Sequence, residues 1–589
     1  MAPALGVEQS FAGRRWLLRE IEDDEVRALS RAANISPVLA RLLAARGISP
    51  SDAAAHLNPS LKDLLPEPFG FKDMERAVTR AQHAIEAGQR VAIFGDYDVD
   101  GSCSAALLCD FLTAIGRAPS VAIPDRLTEG YGPSAAALLR LKDAGAQLVI
   151  TVDCGATADA ALRAARNAGL DVIVLDHHAL ENAGENAFAQ VNPNQPGDTS
   201  RHSHLCAAGV VFLFLVALNR SLREAGWYRA NAVAEPDLRA SLDLVGLATV
   251  CDVVPLVGVN RAFVQSALTR IGMRPRPGLK ALAEIARAEA PFTPYHLGFI
   301  IGPRINAGGR VGRCSLGVEL LTAMDESHAM PLALQLERHN RERQAVEAII
   351  LEEAMALAAM QDNAPFLFVA GEGWHPGVVG IIAGRLKERF GKPAFAVGVE
   401  NGVGRGSARS IAGIDLGALV RAARDQGLLE AGGGHAMAAG FSLSANKMNA
   451  FQDFLGGHFA EQGMVIGTTG ELELHGMFSP AGANAGLVEE IGRAGPFGAG
   501  NLEPLLVAPD LRVAFADMVG QGHIRLSLEG SDGARLQGIA FRASGSPLGD
   551  GLLKSRGKRI HAAGTLRAER WNGESRVQLH LHDAAAAGV

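Results

Sequence analysis

The chain has 589 residues, of which 48% are apolar and 20% charged, and its 56 Lys and Arg against 63 Asp and Glu give a formal net charge of −7. This length predicts about three to five domains, and the ordinary apolar content excludes a largely disordered chain. The negative net charge excludes a globally basic protein, so any surface that binds nucleic acid must be a local patch.

The first 75 residues have helical periodicity with Ser or Asp caps, and no chemistry is evident there. From Arg90 onward, short apolar strands alternate with Ala-rich helices, which is typical of a parallel sheet with helices on both faces. The predicted strands are 91–96, 121–125, 148–153 and 171–176, and the predicted helices are 102–115, 134–144 and 158–168. Ligands of such sheets bind beyond the carboxyl ends of the strands.

Further helices are predicted over 207–225 and 238–248, followed by a charged, Ala-rich segment at 326–360. This segment predicts either one helix of about 45 Å that bridges two domains, or two shorter helices. A second α/β unit follows, with strands at 365–371 and 393–399 around a helix at 377–390. Short alternating strands then predict a small antiparallel barrel over about 466–589.

Acidic and imidazole side chains follow the predicted strands in four segments. These are FGDYDVDG with Asp96, Asp98 and Asp100, ITVDCG with Asp153, VLDHH with Asp176, His177 and His178, and CDVVPL with Asp252. One such Asp alone is more often a helix cap, and one such His is more often structural. Four segments in one βαβ context instead favour a metal site. Mixed oxygen and imidazole ligands suit Mn²⁺ or Mg²⁺, and a bridging carboxylate can hold two such ions.

In order and spacing, these four segments resemble the signature of the DHH phosphoesterase family. The downstream segments PRINAGGR, WHPGVVGIIAGRL and GGGHAMAAGF resemble the DHH-associated domain. FGAGNLEP and the small β domain after it are similar to the branch of that family that degrades single-stranded DNA. The resemblance covers roughly Pro50 to His582.

The resemblance implies specific roles for the acidic and imidazole residues. The residues that match the positions holding divalent ions, implied to be two, are Asp98, Asp100, Asp153, His177 and Asp252. Asp153 is implied to bridge the ions, Asp96 to ligate or support them, and Asp176 to orient its neighbours. His178 matches the histidine that contacts the scissile phosphate. Phe94 stands where some relatives have a further histidine.

Two segments rich in Gly and Arg are candidates for phosphate binding. GPRINAGGRVGR contains Arg304 and Arg310, and GRGSARS contains Ser407 and Arg409. Arginine forks match phosphate oxygens, and a surface loop with solvated arginines is the alternative. The resemblance implies that Arg126, Arg310, Ser407 and Arg409 form a pocket for a terminal 5′-phosphate, and that His435 contacts the substrate strand.

A basic run near the end of the sequence lies within the predicted barrel. Gly551 to His580 contains seven basic residues and two acids, with Trp571 among the arginines. A basic groove with an aromatic side chain is how oligonucleotide-binding barrels hold single strands, whereas an ordinary solvated face is the alternative.

The predicted fold is α/β, with an N-terminal helical segment (1–75), a parallel-sheet DHH catalytic domain (76–325), a connecting helix (326–361), a smaller α/β DHH-associated domain (362–465) and an OB-like barrel (466–589). The resemblance implies a Mn²⁺- or Mg²⁺-dependent exonuclease that releases 5′-mononucleotides from single-stranded DNA, in repair and recombination. The alternatives are a phosphodiesterase for nanoRNA or cyclic dinucleotides, and a non-catalytic replication scaffold.

We expect a monomer whose substrate is single-stranded DNA, with a single-strand-binding protein and a helicase as possible partners. Six cysteines without a CxxC pair suit a reducing compartment. The N-terminus lacks a signal-like apolar core, and the longest apolar run is far shorter than the ~20 residues of a membrane helix. We therefore expect a cytoplasmic protein with no membrane partner.

Overall fold

The computed structural model describes residues 2–126, 128–180, 184–361, 364–411, 413–461, 470–520, 522–571 and 574–588, without the side chains of 461, 569–571, 574 and 575. Its strands are β1 (Arg15–Leu18), β2 (Val91–Gly95), β3 (Ser120–Ala122), β4 (Leu148–Val152), β5 (Asp171–Leu175), β6 (Ala189–Val191), β7 (Leu367–Glu372), β8 (Ala394–Glu400), β9 (Val403–Arg409), β10 (Ala431–His435), β11 (Ala438–Ser444), β12 (Glu471–Leu474), β13 (Gly476–Met477), β14 (Leu506–Val519), β15 (His523–Glu529), β16 (Arg535–Ala540), β17 (Arg559–Trp571) and β18 (Glu574–Ala586).

The helices connect these strands and form the N-terminal segment. They are α1 (Asp23–Ala33), α2 (Pro37–Ala45), α3 (Ala53–Leu57), α4 (Leu61–Leu64), α5 (Met74–Glu86), α6 (Val99–Ala114), α7 (Ala135–Asp143), α8 (Asp159–Asn167), α9 (Ala207–Glu224), α10 (Trp227–Asn231), α11 (Leu242–Cys251), α12 (Gly258–Met273), α13 (Pro277–Ile285), α14 (Gly302–Val311), α15 (Leu316–Leu321), α16 (Glu326–Ala359), α17 (Pro376–Phe390), α18 (Leu416–Asp425), α19 (Met448–Glu461), α20 (Ala485–Gly492) and α21 (Pro547–Leu553). A π-helical turn, His296–Ile301, leads directly into α14.

The chain divides into two compact units. The first contains residues 1–65, 255–262 and 467–589, and the second contains residues 66–254 and 263–466. The second unit therefore holds both α/β regions that the sequence predicts, and the first holds the barrel together with residues 1–65 of the predicted N-terminal segment.

The first sheet of the second unit is parallel, as predicted. Its strand order is β3-β2-β4-β5-β6, and the register aligns Ile93 with Ile150 and Ile150 with Ile173. Strands β2 and β4 are buried along their whole length, which explains their continuous apolar sequences. Because the strands are parallel, their carboxyl ends lie at one edge of the sheet.

The second sheet of this unit has the order β10-β11-β9-β8-β7, in which β7 and β8 are parallel and the other described pairs are antiparallel. Strands β9 to β11 come from the glycine-rich stretch that the sequence did not assign to strands. Gly406 in β9 explains part of this pattern, because a Cβ there would lie 2.2 Å from the ring of Phe441 on β11. Glycine therefore allows a large aromatic side chain to cover the strand.

Helix α16 is a single helix of 34 residues, about 50 Å long, so the segment forms one helix and not two shorter ones. It packs against the second sheet through Trp374, which is buried and donates from Nε1 to Glu353 at 2.9 Å. Within the described residues, we find no helix with the length and apolar content that a membrane crossing requires.

The first unit contains a closed barrel of five strands, which confirms the predicted OB-like domain. The strands run in the order β14-β15-β16-β18-β17, and β17 pairs back onto β14. Strands β16 and β18 are parallel, and the other described barrel pairs are antiparallel. The interior is apolar and includes Val513, Leu526 and Leu579, all fully buried.

The N-terminal segment is an integral part of this unit. Strand β1 pairs in parallel with β12 along its whole length. Asp583 on β18 is fully buried and accepts hydrogen bonds from Ser10 Oγ at 2.6 Å and from Trp16 Nε1 at 3.0 Å. One acid of the last strand therefore holds the first residues of the chain in place.

We expect Asp583→Ala to lower the free energy of unfolding of this unit by about 3 kcal/mol, because Ser10 and Trp16 would retain buried donors without an acceptor. Urea unfolding followed by tryptophan fluorescence measures the change. Asp532→Ala, at an exposed turn of the same barrel, is the control and should shift the midpoint little. Equal midpoints for the two variants would contradict this assignment of Asp583.

Candidate active site

Acidic side chains lie where three neighbouring strands of the parallel sheet end. Asp96 follows β2, Asp153 follows β4, and Asp176 follows β5. The register aligns Gly95 with Val152 and Val152 with Leu175, so these acids leave the sheet at the same edge. Asp252 reaches this edge from the end of α11.

The structure brings seven of the sequence-predicted side chains into one cluster. Within each of three sets, ligand atoms lie within 4.8 Å of one another, and these sets are Asp96, Asp98 and Asp153; Asp100, His177 and Asp252; and Asp153, His177 and His178. His177 Nε2 is central, at 3.4 Å from Asp153 Oδ1 and 3.6 Å from Asp252 Oδ2. Asp153 and His177 each belong to two sets, so they connect the two ends of the cluster.

The local backbone explains the DVDG sequence in the first segment. Asp98 caps α6 by accepting a hydrogen bond from Gly101 N at 2.9 Å. A Cβ at Gly101 would lie 2.5 Å from the carbonyl oxygen of Asp96, so this position requires glycine. Asp100 accepts hydrogen bonds from Ala207 N and Ala208 N, at the start of α9, which fixes its carboxylate.

Burial and mutual repulsion disfavour the charged form of several carboxylates in the cluster. Burial, reinforced by neighbouring carboxylates, raises the pKa of Asp96 and Asp153 well above the usual range, that of Asp100 to about 7 and that of Asp252 to about 9. Asp96 Oδ1 and Asp153 Oδ1 are buried and accept no hydrogen bond from the described residues. Oxygen ligands with one imidazole fit Mn²⁺ or Mg²⁺, and such cations would neutralise this charge.

Asp176 has a different environment and orients the two histidines. It accepts hydrogen bonds from His177 N at 2.7 Å, from Ala156 N at 3.1 Å and from His178 Nδ1 at 2.7 Å. Burial alone would raise the pKa of Asp176, but the hydrogen bond and charge of His178 outweigh it and bring the pKa to about 2. Burial alone would lower the pKa of His178, but its hydrogen bond to Asp176 and the charge of that carboxylate outweigh burial and raise the pKa to about 9.

Two strained residues and a tyrosine complete the immediate surroundings. Asp153 and Val253 have φ values of +58° and +60°, which side chains of L-residues rarely adopt. The hydroxyl of Tyr131 donates to the carbonyl oxygen of Asp153 at 3.0 Å and lies 3.3 Å from His178 Nδ1. Sequence reasoning missed Tyr131. The sequence feature that could have identified Tyr131 is its position after the short strand β3, whose carboxyl end lies at the same edge of the sheet.

His435 lies beside this cluster, on the second sheet. It ends β10, and its ring stacks on that of His178 with centroids 6.0 Å apart. The hairpin between β10 and β11 requires Gly434, whose φ is +146° and whose Cβ would lie 2.4 Å from Ala438 O. The GGGH segment therefore forms a close-packed turn that presents an imidazole to His178.

Arginines form a second group within the same unit. Arg310 donates to Gly377 O at 2.7 Å, and Arg409 donates to Ser407 Oγ at 2.9 Å. Arg310 and Arg409 line a cavity of about 260 Å³ with Gly380, Ile381, Gly384, Arg385 and Glu388. A Cβ at Gly380 would lie 3.1 Å from both Arg409 and Ser407, so glycine leaves room there.

This arginine cavity has an excess of positive charge. Burial lowers the pKa of Arg310 to about 10, and repulsion from Arg126, Arg343 and Arg409 adds to this effect. Arg126 lies over the ring of Tyr97, 5.3 Å from its centroid, next to Asp96 in the first acidic segment. Buried guanidinium groups that repel one another form a site suited to an anion.

Other residues that the sequence predicted to contact phosphate or DNA are not part of the arginine cavity as the structure describes it. Arg304 forms a largely buried ion pair with Glu337 on α16 at 2.8 Å and donates to Ile300 O, so its guanidinium is already occupied. The side chain of Trp571 lies outside the described residues. In the basic run of the barrel, Arg559 pairs with Asp510 at 2.6 Å and Arg567 pairs with Glu503, which reduces the local positive charge.

The PRINAGGR segment is part of a helix, α14, and packs against the first acidic segment. Asn306 Oδ1 accepts a hydrogen bond from Val99 N at 3.1 Å. A Cβ at Gly309 would lie 2.8 Å from the carbonyl oxygen of Tyr97. Asn306 and Gly309 therefore serve the close packing of α14 on the first acidic segment. The sequence had associated their segment, PRINAGGR, with phosphate binding.

Comparisons with known proteins agree with this architecture. Models of the DHH family N-terminal domain, the DHHA1 domain and the RecJ OB domain match residues 90–247, 363–461 and 475–583. The chain is 36% identical to the single-stranded-DNA-specific exonuclease RecJ of Escherichia coli K12, over 89% of this chain and 92% of that protein. It is 30% identical to RecJ of Bacillus subtilis, over 97% of this chain and 71% of that protein.

Among solved structures, RecJ of Thermus thermophilus in complex with Mn²⁺ matches with a TM-score of 0.80 and 28% identity, over 97% of this chain and 79% of that one. The Mg²⁺ complex of the same protein matches with a TM-score of 0.73 and 27% identity, over 98% of this chain and 79% of that one. The fold is thus that of the DHH family, as the motifs indicated. Within it, the chain belongs to the RecJ family.

Proposed function

We propose that this protein is a metal-dependent exonuclease that removes 5′-mononucleotides from single-stranded DNA in the 5′-to-3′ direction. The main structural support for this proposal is that one compact unit contains both a buried acidic cluster and an arginine cavity with excess positive charge. The relatives named as single-stranded-DNA-specific exonucleases supply the substrate class.

The cluster would hold Mn²⁺ or Mg²⁺, the ions named in the related structures. We assign two ions, held by Asp98, Asp100, Asp153, His177 and Asp252 with Asp96 beside them. Asp153 is the proposed bridge, which its membership of two ligand sets supports. Such ions, when bound, activate water and stabilise the attacking and leaving oxygens at phosphorus.

The chain's own residues orient the substrate around this centre. The hydrogen bond of His178 Nδ1 to Asp176 leaves Nε2 to donate to a non-bridging phosphate oxygen. Tyr131 holds the strained backbone of Asp153 through its hydroxyl group. His435, stacked on His178, is placed to contact the substrate strand.

The arginine cavity would hold the 5′-terminal phosphate and so define polarity. We assign Arg126, Arg310, Ser407 and Arg409 to it, since guanidinium forks match phosphate oxygens. Arg304 is left out of this assignment because its ion pair with Glu337 already occupies it. A chain end fixed here would place the first phosphodiester over the acidic cluster.

The remaining roles rest on the family and on composition. We retain the domain limits 1–75, 76–325, 326–361, 362–465 and 466–589, and we assign the barrel to guiding single-stranded DNA, with Trp571 as a stacking residue. We also propose a cytoplasmic monomer that acts in repair and recombination with a single-strand-binding protein and a helicase. The six cysteines are free thiols, which supports a reducing compartment.

The test is digestion of single-stranded oligonucleotides labelled at either end, with Mn²⁺, Mg²⁺ or a chelator. We expect 5′ label to be released first as a mononucleotide, 3′ label to be released last, and the chelator to stop the reaction. Duplex DNA of the same sequence is the control substrate and should persist. Hydrolysis of dinucleotides and cyclic dinucleotides alone would favour the nanoRNA alternative, and metal-independent binding without cleavage would favour a scaffold.

A further inference from the structure

Two large aromatic side chains of the second unit are exposed and stacked on each other. Tyr295 and Phe299, here called the aromatic pair, are 59% and 71% exposed. Their ring centroids are 5.3 Å apart with an interplanar angle of 22°. Neither ring has a part in the proposed chemistry, and such exposure of two adjacent rings costs hydration free energy.

The π-helical turn that begins directly after Tyr295 and contains Phe299 packs against the end of α11, next to Asp252 of the acidic cluster. This turn buries Leu297, whose carbonyl oxygen accepts a hydrogen bond from Cys251 Sγ at 3.5 Å. A Cβ at Gly298 would lie 3.3 Å from Val250, so the turn packs closely on the end of α11. The next residue of the chain after Cys251 is Asp252, whose carboxylate belongs to the cluster. π-helical turns are frequent at functional sites.

The same helix connects the aromatic pair to the arginine cavity. The turn continues into α14, and the positions 295, 299, 303, 306 and 310 follow one another at intervals of three or four residues, which places them on one face. Along this face, Asn306 contacts the first acidic segment and Arg310 lines the arginine cavity. Tyr295 and Arg310 are separated by about 20 Å along the axis.

We propose that the aromatic pair stacks on bases of the single strand on the 3′ side of the scissile bond. This inference rests on the proposed function, because a 5′-phosphate at Arg310 requires the strand to continue away from that end of the helix. Bases of every kind have a π face, so stacking holds a strand without selecting a sequence. The aromatic pair would thus favour long strands over short ones.

The test compares kcat/KM for the first cleavage of a 5′-phosphorylated decanucleotide and dinucleotide with Mn²⁺, using the full chain. In the double variant Tyr295→Ala, Phe299→Ala we expect the decanucleotide-to-dinucleotide ratio to fall about tenfold per stacked base, mainly through KM. In the wild-type protein, a decanucleotide with abasic linkers at the stacked positions should show the same loss. The double alanine variant acting on the abasic decanucleotide should show no greater loss of kcat/KM than either change alone.

Matched variants separate stacking from a folding defect. Phe69→Ala removes another exposed ring of the same unit and should leave the ratio unchanged. The double variant Tyr295→Phe, Phe299→Tyr keeps both aromatic rings and should also keep the wild-type decanucleotide-to-dinucleotide ratio. An unchanged ratio in the double alanine variant, or undiminished cleavage of the abasic strand, would overturn the inference alone. A wild-type protein that releases no nucleotides would overturn the proposed function, and the inference with it.

Discussion

Asp153→Ala should reduce Mn²⁺-dependent nucleotide release by at least about 10³-fold. Asp153 belongs to two of the ligand sets, and its Oδ1 lies 3.4 Å from His177 Nε2, so its truncation removes a ligand from both sets. Release of labelled mononucleotide from single-stranded DNA measures the loss. Binding of the same DNA should remain measurable, because the arginine cavity is intact.

Two further variants show whether this effect is local. Asp153→Asn keeps the shape of the side chain and should be almost as inactive, since a neutral amide is a poor ligand for a hard cation. Asp143→Ala, at the exposed end of α7, should retain full activity. Activity of Asp153→Ala within tenfold of wild type would remove Asp153 from the proposed metal centre.

Arg409→Ala should lower kcat/KM on a 5′-phosphorylated strand by about 10- to 100-fold, the effect of losing a charge-assisted hydrogen bond. The guanidinium of Arg409 is held by Ser407 Oγ at 2.9 Å and lines the arginine cavity with Arg310. A strand with a 5′-hydroxyl makes no such contact, so the variant should digest it nearly as well as the wild-type protein does. The measurement is the ratio of kcat/KM for the two strands.

The matched control for Arg409 is Arg424→Ala. Arg424 lies at the end of α18 in the same unit, is exposed and pairs with Asp425 at 2.9 Å. This variant should keep the wild-type preference for a 5′-phosphate. A loss of preference in both variants would indicate a general effect of positive charge, and a preference retained by Arg409→Ala would refute the pocket assignment.

The parallel sheet could be predicted because its pattern is local. The strands Val91–Gly95 and Leu148–Val152 are continuous buried runs, and each is followed by an acid that the chain direction brings to the same edge. The four acidic segments could be found for the same reason. Asp98 is at once a helix cap and a candidate ligand, so the usual structural explanation for such an acid was also correct.

Other features depend on contacts between distant parts of the chain, which periodicity does not encode. A surface loop was one interpretation of PRINAGGR, whereas the structure shows a helix in which Gly309 admits the backbone of Tyr97. Arg304 looks like a phosphate ligand until its partner, Glu337, is seen on α16. Tyr131 was missed because its contact with Asp153 O crosses 22 residues of sequence.

The hydrogen bond between Trp16 and Asp583 has a consequence for synthesis of the chain. Residues 1–65 leave the ribosome long before the remainder of their unit, which begins at residue 467 apart from one short segment. Trp16 and Asp583 are 567 residues apart, so at about 5–20 residues per second Trp16 waits roughly 30 to 110 s before its acceptor exists. We expect the segment that contains Trp16 to be exposed to proteases and chaperones during that interval, and to become protected only after Asp583 has been synthesised.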